Sequence, residues 1–188
     1  IIMKKNWRKE IICLCLSVLL LSGCGNTKYE AKDTVEREGN TFQIGNLQLE
    51  VKSWDKREEV KPKNPQGYYN HYKKEEGYYY HVLYGTLKNT GDKKVNVNQI
   101  KVEGLSNKEH YQGKIVLINE IQSYFWEEIE PGVELDFYIF SIVEKKEKAP
   151  SEYIFYFDED GKIDKEQVSF DHKIKYSIPS ELKRDKEN

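Results

Sequence analysis

From Thr41 onward the chain alternates apolar and polar positions with a period of two, the mark of half-buried strands. In VELDFYIFSIV, Val133, Leu135, Phe137, Ile139 and Val143 fall on one face, with Glu134, Asp136 and Tyr138 on the other. Phe140 and Ile142 interrupt the polar face, so its far end is expected to be covered as well. QVSFDHKIKYS sets Val168, Phe170, Ile174 and Tyr176 against Ser169, Asp171, Lys173 and Lys175. Further strands are predicted at about Leu47 to Trp54, Tyr79 to Lys88, Lys94 to Val102, Lys114 to Gln122 and Ser151 to Phe157.

Turn chemistry separates these runs. Asn89, Thr90, Gly91 and Asp92 predict a hairpin, Pro131 and Gly132 a type II turn, and Asp160 with Gly161 a tight hairpin. The apolar parity slips by one residue between Ile44 and Leu47 and again between Val97 and Ile100, which predicts a bulge or a strand that changes sheet. About seven or eight strands without helical periodicity predict an all-β fold, an antiparallel β-sandwich, with a closed barrel as the structural alternative.

The first residues follow another pattern. Lys4, Lys5, Arg8 and Lys9 precede an apolar run from Ile11 to Leu21, broken only by Ser17, and Leu21, Ser22 and Gly23 lead into Cys24. This is the charged, apolar and small-residue order of a secretory signal, and the run falls well short of the roughly 20 residues that span a bilayer. Leu21-Ser22-Gly23-Cys24 resembles the lipobox of bacterial lipoproteins, which implies cleavage before Cys24 and a diacylglyceryl group on its thiol. Two acyl chains make a stable anchor where one gives marginal binding. Met3 reads as the natural start, with Ile1 and Ile2 an extension of the frame.

Cleavage would remove Cys13 and Cys15, leaving one lipidated cysteine and no disulfide. It would also remove four basic residues and one acidic residue, leaving 26 basic against 31 acidic, a formal charge of −5. Charges of both signs are interspersed without a basic block, which argues against nucleic acid as a partner. The domains predicted are a signal peptide at 1–23, a lipidated cysteine and flexible tether at 24–40, one folded domain at 41–179 and a frayed polar tail at 180–188. The tether, without apolar period, would have a coil reach of roughly 20 Å.

YYYHVLYGTLKNTGDKKVNV, followed by IEPGVELDFYIFSI, resembles the telokin-like, immunoglobulin-like extracellular domains of Gram-positive lipoproteins. The shared pattern is a long aromatic or β-branched strand running into Asn-Thr-Gly-Asp, then a Pro-Gly turn feeding a strand with a Phe. The resemblance covers most of Leu47 to Ser177 and implies an immunoglobulin-like sandwich with no catalytic residues; the stretch Asp55 to Gly77 is longer than the corresponding connection.

Candidate chemistry is sparse. His71, His81, His110 and His172 lack metal-ligand spacing and read as satisfied histidines at sheet rims. FDEDGKIDKE crowds Asp158, Glu159, Asp160 and Asp164 near Gly161, but the calcium-loop spacing fails: Ser169 stands where glutamate is needed. Glu127, Glu128 and Glu130 beside Trp126 suggest a hydrolase carboxylate pair without marking a second, separated acid. Ser141 has no small-residue elbow.

The one stretch with binding character is PQGYYNHYKKEEGYYYHVLY, whose tyrosines offer large contact area at low entropic cost. Tyr68, Tyr69, His71, Tyr72 and Tyr78 are the candidate binding residues, and packing of the sandwich end is the competing role. The expectation is a membrane-anchored extracellular lipoprotein that binds a protein or glycan at the cell envelope, with no catalysis, cofactor or metal. The alternatives are an envelope hydrolase using acids near Trp126 or Asp158, and a passive envelope stress or immunity factor.

Overall fold

The computed structural model describes residues 29–37, 39–107, 109–118, 123–159, 161 and 168–185. Their strands are β1 (Glu30–Arg37), β2 (Thr41–Ile44), β3 (Leu47–Arg57), β4 (Tyr78–Asn89), β5 (Val95–Asn96), β6 (Ile100–Ser106), β7 (Glu109–Ile118), β8 (Phe125–Trp126), β9 (Glu128–Ile129), β10 (Glu134–Glu144), β11 (Glu152–Phe157) and β12 (Ser169–Ser177). No α-helix occurs among the described residues, and none of them form a helix long and apolar enough to cross a membrane.

Ten strands form one sheet in the order β1-β12-β11-β6-β7-β10-β4-β3-β2, with β8 added on β7, while β5 and β9 pair separately. The sheet curls until its ends meet: Phe42 of β2 stacks on Tyr176 of β12 at 4.9 Å and packs at a tilt against Phe155 of β11 at 5.3 Å. Its two halves therefore face each other as a β-sandwich around one core. Leu47, Leu49 and Val51 of β3, Leu83 and Leu87 of β4, Phe137 and Ile139 of β10, and Tyr153, Phe155 and Phe157 of β11 all point into it. Each fully withdrawn side chain of this size contributes roughly 1.5–3 kcal/mol.

Strand β3 shows the alternation most plainly, with Gln48, Glu50 and Lys52 exposed between buried neighbours. Strands β4 and β10 are buried on both faces because the segment 58–77 lies over their outer side. Val60 and Tyr72 join it across themselves by two backbone hydrogen bonds of 2.9 Å, and with Tyr80, Val82, Val116, Tyr138 and Phe140 they form a second apolar cluster. The expected cover over Phe140 is this segment.

Several expectations are corrected. Among the described residues there are twelve strands, four of them only two to four residues long, and β1 pairs with β12 in parallel. The tether expected at 24–40 contains β1, which the polar sequence conceals because most of its side chains are exposed. It is held through Glu30 N to Val168 O at 2.8 Å, Val35 against the core, and Tyr29 packed edge-on to Tyr156 and Phe170. The tail expected to fray docks along β3: Trp54 N donates to Lys183 O at 3.1 Å, Asp185 N to Trp54 O at 2.8 Å, and Leu182 is buried in the core.

The parity slip at Ile44 is a two-residue turn, with Gly45 at φ 55, that returns β2 onto β3. The slip at Val97 is a 3-10 turn carrying the chain from the β5–β9 pair into β6, with Asn96 and Gln99 bonding each other's backbone as a capping box. A bulge does occur, but between Val51 and Ser53. Asn89 starts no hairpin: fully buried, it donates to Lys93 O at 2.7 Å and Ile129 O at 3.2 Å, and so turns the chain toward β5. The Pro131-Gly132 turn forms as expected, closed by Val133 N to Glu130 O at 3.2 Å. Strands β11 and β12 are joined by a long connection, since Phe157 pairs with His172; Asp160 lies outside the described residues.

Candidate functional site

The tyrosine-rich segment divides by depth. Tyr78 opens β4, and its hydroxyl donates to Glu144 Oε1 across the sheet at 3.5 Å. Tyr72 packs edge-on to Phe140 at 4.7 Å, beside Phe125, with the Lys114 ammonium over its ring. Both rings belong to the fabric of the sandwich. His71 Nε2 bonds Glu59 Oε2 at 2.8 Å, and Lys61 and then His71 hold the Glu59 carboxyl below its ordinary range. The Tyr69 ring stands 6.3 Å from His71, and Tyr68 is 94% exposed.

Among the described residues, the large hydrophobic side chains left exposed are Tyr68, Tyr124, Trp126, Val133 and Val168. Tyr124, Trp126 and Val133 gather at one cleft, and Tyr68 stands exposed on a neighbouring segment. Gln66 N donates to Ser123 O at 3.2 Å, and Tyr72 touches Phe125, so the segment carrying Tyr68 lies against β8. Strand β8 turns Phe125 inward and Trp126 outward, as its period of two requires. Trp126 and Tyr124 then stack with ring centres 6.2 Å apart and planes 20° apart.

These two rings border an open cleft of about 490 Å³ whose apolar wall continues through Val133 and Leu135. Asn96, Glu127, Glu128 and Glu130 form its polar rim. Lys94 reaches Glu128 at 3.0 Å and Glu130 at 3.2 Å, which holds the Glu128 carboxyl below its ordinary range. The sequence drew attention to this stretch for its carboxylates, whereas the rings are what the fold leaves bare. No periodicity marks them, because β8 is too short to show any.

The remaining candidates resolve differently. Asp158, just past the end of β11, is buried, its backbone N bonded to Gln99 O at 3.2 Å. Nearby, Lys32, Asp33, Glu159, Asp171 and His172 line an open cleft of about 340 Å³ where His172 Nδ1 meets Asp33 Oδ2 at 3.0 Å. No three histidine, cysteine, aspartate or glutamate side chains among the described residues converge as a metal site would need. His110 faces Glu103 at 3.4 Å on the surface.

His81 is no rim residue. It sits inside the sandwich opposite Ser141 of β10, bonded to the Tyr153 hydroxyl, and burial pushes its pKa down to about 4 against a weaker pull from Asp55. Burial likewise raises the Tyr153 hydroxyl. Ser141 beside it is fully buried. Cys24 lies outside the described residues.

No protein-family model matches the sequence, and no curated protein matches it. An uncharacterised β-sandwich protein of Clostridium difficile is similar in structure, with a TM-score of 0.54 and 18% identity over 80% of this chain and 99% of that one. The ycdA protein of Bacillus subtilis aligns at a TM-score of 0.43 and 14% identity, over 80% of this chain and 40% of its own. The yjhA protein of the same organism gives 0.43 and 15% over 76% and 100%. The first likeness agrees with the β-sandwich seen here.

Proposed function

We propose that this chain is a lipid-anchored recognition module of the immunoglobulin-like extracellular class, held on the outer face of the cell membrane through Cys24, that binds a protein or glycan of the envelope without catalysis. The observation that carries the binding half is the gathering of exposed Tyr124, Trp126 and Val133 at one cleft, beside the segment that carries the exposed Tyr68. Contiguous exposed apolar surface on a well-packed domain marks contact with something else. Tyrosine and tryptophan suit such contact because their rings are large, stiff and polar at the tip. The anchoring half rests on Leu21-Ser22-Gly23-Cys24 behind a basic and apolar leader.

The test uses the full chain in detergent micelles as bait against envelope fractions, beside Tyr68→Ala/Tyr69→Ala. A partner held by the parent and lost by the variant, at unchanged melting temperature, supports the reading. Absence of any saturable partner removes it. For the anchor, fatty-acid labelling in a bacterial host should be present in the parent and absent in Cys24→Ala.

A further inference from the structure

The cleft bordered by Trp126 and Tyr124 combines two properties that select a ligand. Its wall is a stacked aromatic pair with Trp126 39% and Tyr124 43% exposed. Its rim carries three carboxylates against a single ammonium, since Lys94 is shared by Glu128 and Glu130 while Glu127 makes no ion pair among the described residues. Two negative charges are thus left uncompensated beside exposed ring faces.

We propose that this cleft binds a basic side chain, a lysine or arginine from a partner polypeptide, with its charge between Glu127 and the Trp126 ring. The assignment deepens the recognition reading and rests on it. A cation within about 6 Å of an indole or phenol face is attracted by the ring quadrupole. Its alkyl stem would lie on the apolar wall at Val133 and Leu135 while the head keeps its carboxylate. The position of Lys94 shows the rim holding an ammonium already, from the chain's own side. A neutral saccharide would meet the rings equally well, but its docking would cover Glu127 without supplying a counter-charge, and uncompensated desolvation of a carboxylate is costly. A bare metal ion is disfavoured because half the lining is hydrocarbon and aromatic.

The probe is acetyl-hexalysine amide, titrated into the full chain in nonionic micelles while the tryptophan indole resonances are followed. The Trp126 signal is identified by its loss in Trp126→Phe. A saturable shift of the Trp126 indole is expected, weakened about threefold or more in Glu127→Gln and weakened again by salt, because the pair is partly exposed to solvent. Glu127 is exposed, so the glutamine variant keeps the fold. No movement of the Trp126 signal, or equal binding by Glu127→Gln, overturns the assignment. Saturation by maltohexaose with no response to hexalysine overturns it in favour of a saccharide site. If hexalysine fails while envelope capture through Tyr68 persists, the cleft assignment falls and the recognition reading stands.

Discussion

The Nδ1 atom of His81 lies 3.0 Å from the Tyr153 hydroxyl, which in turn donates to the His81 carbonyl at 3.1 Å. With the hydroxyl proton committed to that carbonyl, Nδ1 must carry hydrogen and donate to the phenol oxygen. Burial keeps the ring neutral, so the remaining nitrogen is unprotonated, and Trp54 stacks on it at 5.4 Å.

A pH dependence follows. The folded pKa of His81, about 4, lies below its unfolded value, so the unfolded chain takes up the proton first. The contribution is complete above about pH 6.5. It shrinks as pH falls, by up to about 3 kcal/mol on reaching the folded value. Urea midpoints at pH 7 and pH 4.5 should diverge more for the parent than for His81→Phe. Equal differences for the two chains would show that the ring is not buried as described.

Tyr72 and Tyr68 should separate cleanly. Tyr72 covers Phe140 and Phe125 on the outer face of the sheet, so Tyr72→Ala is expected to cost about 2 kcal/mol, seen as a melting point lower by several degrees. Tyr68→Ala touches no packed surface and should stay within about 0.5 kcal/mol. Comparable losses would contradict the placement of the covering segment.

Gly85 of β4 pairs with Val51 of β3. A Cβ there would lie 1.9 Å from the Glu50 carbonyl oxygen and 2.7 Å from Phe137 Cζ. Neither is a free side-chain end, so Gly85→Ala must push strands apart, at a cost of about 3 kcal/mol or more. Thermal melting of the variant checks this, and a parent-like midpoint would refute the strand spacing.

Docking of the tail along β3 predicts that truncation after Pro179 is not silent. It removes the Leu182 side chain from the core, three hydrogen bonds at Trp54, and Arg184 from its place 3.6 Å from Asp55. A loss of roughly 3 kcal/mol is expected in urea unfolding, whereas Lys183→Ala should change little. Equal stability of the truncated and parent chains would show that the tail contributes nothing.

Strands with one dry face were legible because burial imposes alternation: β3, β10 and β12 were all found at nearly their true positions. Strand β1 was not, because an edge strand with exposed side chains depends on backbone pairing that sequence does not record. Nor was the tail, where a lone Leu182 among charged neighbours enters the core and the other contacts are largely backbone hydrogen bonds. The same limit applied to the tyrosines. Their number suggested a surface, but which rings cover the outer sheet and which face solvent is decided by a twenty-residue segment folding back over β4 and β10. Trp126 drew notice for its acidic neighbours, since nothing in two residues of β8 tells outward from inward.

Because Tyr29 already packs on Tyr156 and Phe170, a lipid on Cys24 would be separated from the folded body by only four residues, 25–28. A chain from Cys24 to Tyr29 can span at most roughly 18 Å, less than half the reach of a link running to residue 40. If so moored, the body would be confined close to the lipid headgroups. The end where β1 enters would stay turned toward the bilayer, and a partner would have to approach from the sides or from above.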